Sequence, residues 1–151
     1  MKPVPDNDLT RRVIGCAMAV HRELGPCLIE SYYETGLCDE LTEAGLSFAR
    51  QRRFPIVYKK RTLDGHYQPD IIVEDTLILE IKSVYQILPV HEAQLLTYLR
   101  VSGLPLGLLL NFKTALMKDG VTRLINPAAA IPPAPAAPAR HIVATSMPQR
   151  L

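Results

Sequence analysis

The chain has 151 residues, a formal net charge of +2 and a hydrophobic fraction of 48%. This length supports one domain of ordinary size with a real core, and the small net charge by itself points to no class of partner. No apolar stretch approaches the roughly 18 uncharged residues of a membrane span, so we expect neither a signal peptide nor a transmembrane helix. The cysteines, Cys16, Cys27 and Cys38, are odd in number and form no Cys-x-x-Cys pair, which predicts reduced packing residues in a cytoplasmic protein.

The first predicted helix follows a short polar lead-in over residues 1–8. Apolar side chains over residues 9–24 form one stripe at helical spacing, and the Gly-Pro pair that begins at Gly25 is a stop signal. His21 lies beside that stripe. It is either a hydrogen-bonded core histidine or a candidate metal ligand.

A second helix is predicted over residues 29–44, where apolar residues recur every four positions and Gly45 closes the C-terminus. Glu30 stands in its first turn. The positive end of the helix dipole is a sufficient structural reason for an acid there. The same carboxylate could also reach a metal if this helix end faces the strands downstream.

Strands are predicted next, over residues 46–51 and 55–60. An Asp64-Gly65 pair then predicts a turn that leads into the strand beside Asp70. Together with the strands that follow, these segments predict a run of antiparallel strands.

A hairpin is predicted where two aliphatic runs, residues 71–73 and 77–79, flank the polar triplet at residues 74–76, with the second strand continuing to residue 85. Its second arm carries a charged pair, Glu80 and Lys82. Because side chains alternate along a strand, these two point to the same face, about 7 Å apart at roughly 3.3 Å per residue.

The carboxylates of Asp70 and Glu80 and the ammonium of Lys82 need an explanation, since unpaired charges resist burial. A divalent cation would compensate the two acids. Mg²⁺ prefers oxygen ligands, keeps several waters and takes one or two carboxylates from a protein. We therefore identify Asp70 and Glu80 as candidate ligands, and Lys82 as a group that could hold or polarise an attacking water. The alternative is a surface ion pair between Glu80 and Lys82.

Basic residues are concentrated just ahead of these acids, within a dozen positions. They are Arg50, Arg52, Arg53, Lys59, Lys60 and Arg61. This segment is a candidate contact for a nucleic-acid backbone, and the alternative is a solvated hairpin.

The last elements are a helix over residues 91–102, opened by Pro89 and ended by Gly103, an apolar strand over residues 106–111, and an edge strand over residues 121–125. From residue 126 the composition changes to Ala and Pro, so residues 126–151 are predicted to be a disordered tail that adds no core. The folded unit is then residues 9–125, an α/β arrangement.

One face of the predicted third helix carries a polar stripe formed by His91, Gln94 and Tyr98. Such side chains can simply bond the ends of neighbouring strands. Alternatively, they orient a nucleic-acid strand or support the metal site.

Three short motifs follow one another along the chain. They are Pro69-Asp70, Glu80-Ile81-Lys82 and Gln94-Leu95-Leu96-Thr97-Tyr98, with Glu30 upstream. In this order they resemble the PD-(D/E)xK nuclease superfamily, and within it the RecB-like branch with its Gln-x-x-x-Tyr motif. The likeness is closer still to the small bacterial GxxExxY proteins. The further similar stretches are residues 21–26, 30–34, 89–96 and 107–112.

One position departs from that resemblance. Cys27 stands where the naming motif of the GxxExxY proteins has a glycine, whereas Glu30 and Tyr33 match. A glycine there would suggest a positive φ angle or a close backbone approach, so cysteine changes the expected turn but removes no ligand.

The resemblance implies a restriction-endonuclease-like core, with a mixed central sheet flanked by helices in the order α-α-β-β-β-β-α-β. It implies Mg²⁺ or Mn²⁺ held by Asp70, Glu80 and the backbone carbonyl of Ile81, with Glu30 as a ligand directly or through water. Lys82 would position the water. The polar stripe of His91, Gln94 and Tyr98 would orient the substrate strand. The implied reaction is hydrolysis of phosphodiester bonds in nucleic acid, with DNA favoured over RNA.

Two other classes stay open, because fold does not determine function. The domain could be a catalytically silent module that binds nucleic acid or a partner, or a structural subunit in which Glu80 and Lys82 merely pair. No feature demands a homodimer, and none excludes one.

Overall fold

The computed structural model describes residues 7–130. The α-helices of this part are α1 (Asn7–Leu24), α2 (Glu30–Glu43) and α3 (Pro89–Ser102). The strands are β1 (Phe48–Arg50), β2 (Phe54–Tyr58), β3 (Arg61–Tyr67), β4 (Ile71–Val73), β5 (Leu77–Lys82), β6 (Leu106–Asn111) and β7 (Val121–Ile125). Short 3-10 turns span Met117–Gly120 and Pro127–Ala130.

The central sheet has five strands in the order β1-β4-β5-β6-β7. All neighbours are antiparallel except β5 and β6, which run parallel from the Leu77 and Leu106 pair to the Lys82 and Asn111 pair. A parallel pair requires a crossover, and α3 supplies it. The predicted α/β class with a mixed central sheet is confirmed.

The two faces of β5 contact different helices, as the alternation of its side chains predicts. Leu77, Leu79 and Ile81 belong to the core cluster that includes α1 and α2, whereas Ile78 belongs to a second cluster with α3. Covering both faces explains why β5 and β6 are almost wholly aliphatic. Glu80 and Lys82 lie on the α3 side, beyond Ile78.

A glycine brings α3 close to the sheet. A Cβ atom on Gly107 of β6 would lie only 2.9 Å from the side chain of Leu95 in α3. The absent side chain therefore lets Leu95 pack directly on the backbone of β6.

The predicted turn at Asp64 and Gly65 is wrong. The hairpin of β2 and β3 turns at Lys59 and Lys60, and Lys59 has a φ of 53°. Gly65 instead lies within β3, with a φ of 104°, where the pairing with β2 is irregular. Glycine suits an irregular strand as well as a turn, so a glycine after Asp64 is compatible with either structure. The hairpin forms its own two-stranded sheet.

The second arm of the central hairpin is shorter than predicted. β5 ends at Lys82 because the next backbone groups bond to side chains: the Ser83 N–H donates to Glu30 and the Val84 N–H donates to Asn111. The connection between β4 and β5 is confirmed, with positive φ angles at Glu74 and Asp75.

The ends of the folded unit also differ from the prediction. α1 begins at Asn7, inside the expected lead-in. Asn126, expected to begin the tail, is buried, and its amide donates to the backbone carbonyls of Leu99 and Leu104. It thereby ties α3 to the end of β7. The rest of the predicted tail, residues 131–151, lies outside the described residues.

Within residues 7–130, none of the helices has both the length and the apolar character needed to cross a membrane.

Candidate active site

Asp70 and Glu80 lie side by side at the central hairpin. Asp70 directly precedes β4, and Glu80 lies in β5, one position beyond the paired residues Ile71 and Leu79. The Asp70 N–H donates to Oε1 of Glu80 at 3.0 Å, and Oδ2 of Asp70 accepts the N–H of Ile81 at 2.8 Å. Each carboxylate is thus held by a backbone group beside the other.

The electrostatics of this pair disfavour two negative charges. Burial, followed by the Asp70 carboxylate, raises the pKa of Glu80 to about 8. Burial also raises the pKa of Asp70, against the opposing effect of the Ile81 N–H. A cation placed between the acids would relieve both penalties, since opposite charge favours the ionised form.

Lys82 is half-buried on the same face of β5, and its charge favours the ionised forms of both acids. Across the described chain, its ammonium forms no salt bridge with a carboxylate. Glu80 is only 4% exposed. The alternative of a solvated surface pair between Glu80 and Lys82 is therefore wrong.

Glu30 reaches the end of β5 from the first turn of α2. Its Oε1 accepts the N–H of Ser83 at 3.3 Å, and the Ser83 hydroxyl donates to the Leu28 carbonyl. Its charge is one of those that raise the pKa of Glu80. The N-terminal end of α2 therefore faces the strands, which is the arrangement that Glu30 needs to reach a metal beside β5.

Tyr33, which follows Glu30 by three residues, holds the loop before α2 in place. Its hydroxyl donates to the carbonyl of Gly25 and accepts the N–H of Leu28 at 3.0 Å, and its ring stacks on Phe112. The loop before α2 is fastened in this way. Cys27 in that loop is exposed, contrary to the predicted packing role, and Gly25 rather than Cys27 has the positive φ. Cysteine at this position therefore adds no backbone strain.

The polar stripe of α3 divides into two roles. Gln94 donates to the hydroxyl of Tyr98 at 3.1 Å, and the Tyr98 ring packs edge-on against Tyr67. Tyr98 packs against the cluster that contains Ile78, on the face of β5 that carries Glu80. Burial, followed by the Glu80 carboxylate, raises the pKa of Tyr98. His91 instead accepts the Leu88 N–H with Nδ1 and caps the helix.

Glu34 and Gln51 were missed by the sequence reasoning. The Gln51 amide donates to Oε1 of Glu34 and lies 3.5 Å from Oδ1 of Asp70. Glu34 is buried, bonded to Arg50 at 2.9 Å, and its charge helps to raise the pKa of Asp70. The available signal was position: Glu34 follows Glu30 by one helical turn and so shares its face.

His21 and the basic segment lie mostly outside this group. The His21 Nε2 is 2.8 Å from the Thr114 carbonyl, which makes it a hydrogen-bonded histidine at the end of α1. Arg50 and Arg52 pair with Glu34 and Asp75. The remaining basic residues form no salt bridge within residues 7–130, and they are Arg53, Lys59, Lys60 and Arg61.

The donor set suits a hard divalent cation. The described residues contain no cluster of three or more His, Cys, Asp or Glu side chains that could hold a metal. Mg²⁺, however, needs only one or two protein carboxylates and completes its shell with water. Asp70 and Glu80 each use one oxygen on a backbone N–H. The second oxygen of Asp70 has only the long 3.5 Å contact with the Gln51 amide, so it and the second oxygen of Glu80 are the candidate metal ligands.

Comparison with known proteins adds three findings. A family model described as the PD-(D/E)XK nuclease superfamily matches residues 7–124. Among curated proteins, none is significantly similar in sequence. A solved structure titled "Crystal structure of SSO0001" is 19% identical with a TM-score of 0.44, and the match covers 83% of this chain and 69% of that one. A structural overlap of this size carries no inference about function.

Proposed function

The chain belongs to the PD-(D/E)XK nuclease superfamily, and from that premise we propose that it is a metal-dependent nuclease that hydrolyses phosphodiester bonds in nucleic acid, with DNA favoured over RNA. We also propose that it belongs to the RecB-like branch and its GxxExxY group. The observation that carries the proposal is the Asp70 and Glu80 pair, held by reciprocal backbone hydrogen bonds beside a lysine with no carboxylate partner among the described residues.

Asp70 and Glu80 would hold Mg²⁺ or Mn²⁺ through their remaining oxygens, with the Ile81 carbonyl as a further ligand and Glu30 as a direct or water-mediated one. When bound, the cation supplies a water nucleophile and neutralises charge on the phosphate. Because the raised pKa keeps Glu80 largely protonated near neutral pH, a bound cation would displace that proton, and its affinity should rise with pH.

Lys82 has the remaining chemical role. Its ammonium lies on the face of the two acids and can donate N–H groups to the attacking water or to a phosphate oxygen. Gln94 and Tyr98, bonded to each other beside the acids, would orient the substrate strand. His91 stays a candidate for this role only through Nε2, because Nδ1 caps α3.

The basic residues support contact with a polyanion. Arg53, Lys59, Lys60 and Arg61 are exposed. Arg50 is better explained as the partner of Glu34, and Arg52 as the partner of Asp75. We propose that the exposed four contact the nucleic-acid backbone.

The test is a cleavage assay on single- and double-stranded DNA and RNA with Mg²⁺, with Mn²⁺ and with a chelator. Wild type should cleave only with metal, and Asp70→Asn and Lys82→Met should cleave far more slowly than wild type. The matched control is Glu43→Gln, an exposed acid at the end of α2, which should cleave like wild type. The hypothesis is falsified if purified wild type cleaves no substrate with metal, or if both site variants cleave normally. If wild type binds nucleic acid in a salt-dependent manner but does not cleave it, the remaining interpretation is a catalytically silent nucleic-acid-binding module.

A further inference from the structure

Tyr85 and Lys113 lie on the loops that follow the two parallel strands of the site. Tyr85 comes three residues after Lys82 at the end of β5, and Lys113 comes two residues after Asn111 at the end of β6. The Tyr85 side chain is 94% exposed. The Lys113 ammonium lies 4.2 Å from the centroid of the Tyr85 ring. An aromatic ring so exposed contributes little to the core and is available to stack on a ligand.

The backbone that carries these two side chains is held firmly. Asn111 is 3% exposed, and its Oδ1 accepts the N–H groups of Val84 at 3.1 Å and Lys113 at 3.2 Å. Its Nδ2 donates to the Val84 carbonyl at 2.9 Å. One buried amide thus fixes the residue before Tyr85 and the backbone of Lys113. The ring and the ammonium are presented to solvent from a rigid base.

We propose that Tyr85 and Lys113 form a stacking platform for an unpaired nucleotide beside the scissile phosphate, so that the substrate is a single strand or an unpaired end. This rests on the proposed function. The face of Tyr85 away from Lys113 is open to a nucleobase, and the ammonium can contact the adjoining phosphate. A base within a duplex is already stacked on its neighbours and offers no free face, whereas an unpaired base does.

The platform lies close to the candidate active site. Three residues of extended chain span at most roughly 10 Å, which limits the distance between the backbone of Tyr85 and that of Lys82. Ser83, between them, is bonded to Glu30 and to the Leu28 carbonyl. A base on Tyr85 would therefore hold the neighbouring backbone near the acids.

Because the chain contains no tryptophan, Tyr85→Trp introduces a single indole reporter at the platform. In chelator, without cleavage, the indole fluorescence should be quenched saturably by oligothymidine and by a blunt hairpin duplex only weakly. An oligouridine arm distinguishes DNA from RNA. Absence of quenching by both single strands, or equal quenching by the duplex, would overturn the proposal.

Affinity of the unlabelled variants gives the second readout. Tyr85→Ala should weaken single-strand binding by roughly ten- to a hundredfold, the usual effect of one lost stacked base, and Tyr85→Phe should restore it. Ile125→Ala is the control, because Ile125 is also exposed but pairs with Leu106, at the end of the sheet opposite Lys82 and Asn111. An equal loss in Ile125→Ala and Tyr85→Ala would contradict a specific platform.

The two proposals fail separately. Metal-dependent cleavage by wild type, with equal single-strand affinity in Tyr85→Ala, would remove the platform and leave the nuclease. Selective quenching without cleavage of any substrate would leave the platform and remove the hydrolysis.

Discussion

The Asp70 N–H donates to the Glu80 carboxylate at 3.0 Å, while the Asp70 carboxylate accepts the next N–H along β5. The two acids therefore cannot move apart without breaking hydrogen bonds, although their charges repel. Burial of this constrained pair raises the pKa of both carboxyls. Two ionised carboxylates buried side by side destabilise the folded protein, and a bound cation would remove this destabilisation.

The first prediction concerns pH. Glu80 has a pKa of about 8 in the folded state against 4.5 for an ordinary glutamate, so between these limits the folded protein holds a proton that the unfolded chain releases. The free energy of unfolding should therefore fall as the pH rises from about 4.5 to about 8, by on the order of 5 kcal/mol from this group, and level off above. Urea unfolding in chelator at several pH values measures it.

Glu80→Gln should flatten that pH dependence, because the amide does not titrate. Glu43→Gln, which replaces an exposed acid, should keep the wild-type slope. Parallel curves for wild type and Glu80→Gln would contradict the raised pKa.

The second prediction separates the chemical role of Lys82 from a structural one. Lys82→Met should lower cleavage by roughly 10²- to 10⁴-fold, the usual range for a group that assists proton transfer or orients water. Calorimetry should still show divalent binding, since Asp70 and Glu80 are intact. Lys118→Met, on the exposed turn before β7, serves as the control and should cleave normally. Normal cleavage by Lys82→Met would remove the lysine from the reaction.

The third prediction concerns Gln51 as a positioning residue. Its φ of 55° is a conformation that glycine adopts easily, so Gln51→Gly should keep the backbone and remove only the amide that joins Glu34 to Asp70. Mn²⁺ affinity should weaken by about tenfold, as for other residues that orient metal ligands. Lys59→Gly, at a φ of 53°, is the matched control and should bind Mn²⁺ like wild type. Unchanged affinity in Gln51→Gly would show that Asp70 is held by the Ile81 N–H alone.

The fourth prediction tests the packing of α3 on β6. A methyl group on Gly107 would lie 2.9 Å from Leu95, so Gly107→Ala should lower the free energy of unfolding by about 1 to 3 kcal/mol. Gly15, within α1, has no atom near the same position, so Gly15→Ala should raise stability by roughly 0.5 to 1 kcal/mol. Urea denaturation compares both. Equal effects would mean that Leu95 moves aside without cost.

Local patterns were sufficient for much of the fold. The bounds predicted for β6 and β7 match the structure, and the ends of α2 and α3 differ by one or two residues, because helical spacing and glycine stop signals act within a few positions. The alternation along β5 correctly separated Glu80 and Lys82 from the aliphatic face. The Asp64-Gly65 signal failed because a glycine serves an irregular strand as well as a turn.

The sequence by itself determined the residue types of the candidate site and their order, since acids and a lysine within β-forming segments can be recognised from the local sequence. Only the tertiary structure decided that Glu34 and Gln51 join Asp70, and that Asn111 fixes the loops carrying Tyr85 and Lys113. The physical reason is distance along the chain. The bonds of Gln51 to Glu34 and Asp70, and of Val84 to Asn111, link residues 17 to 27 positions apart. No local pattern reports which distant side chains the packing of helices on a sheet will bring together.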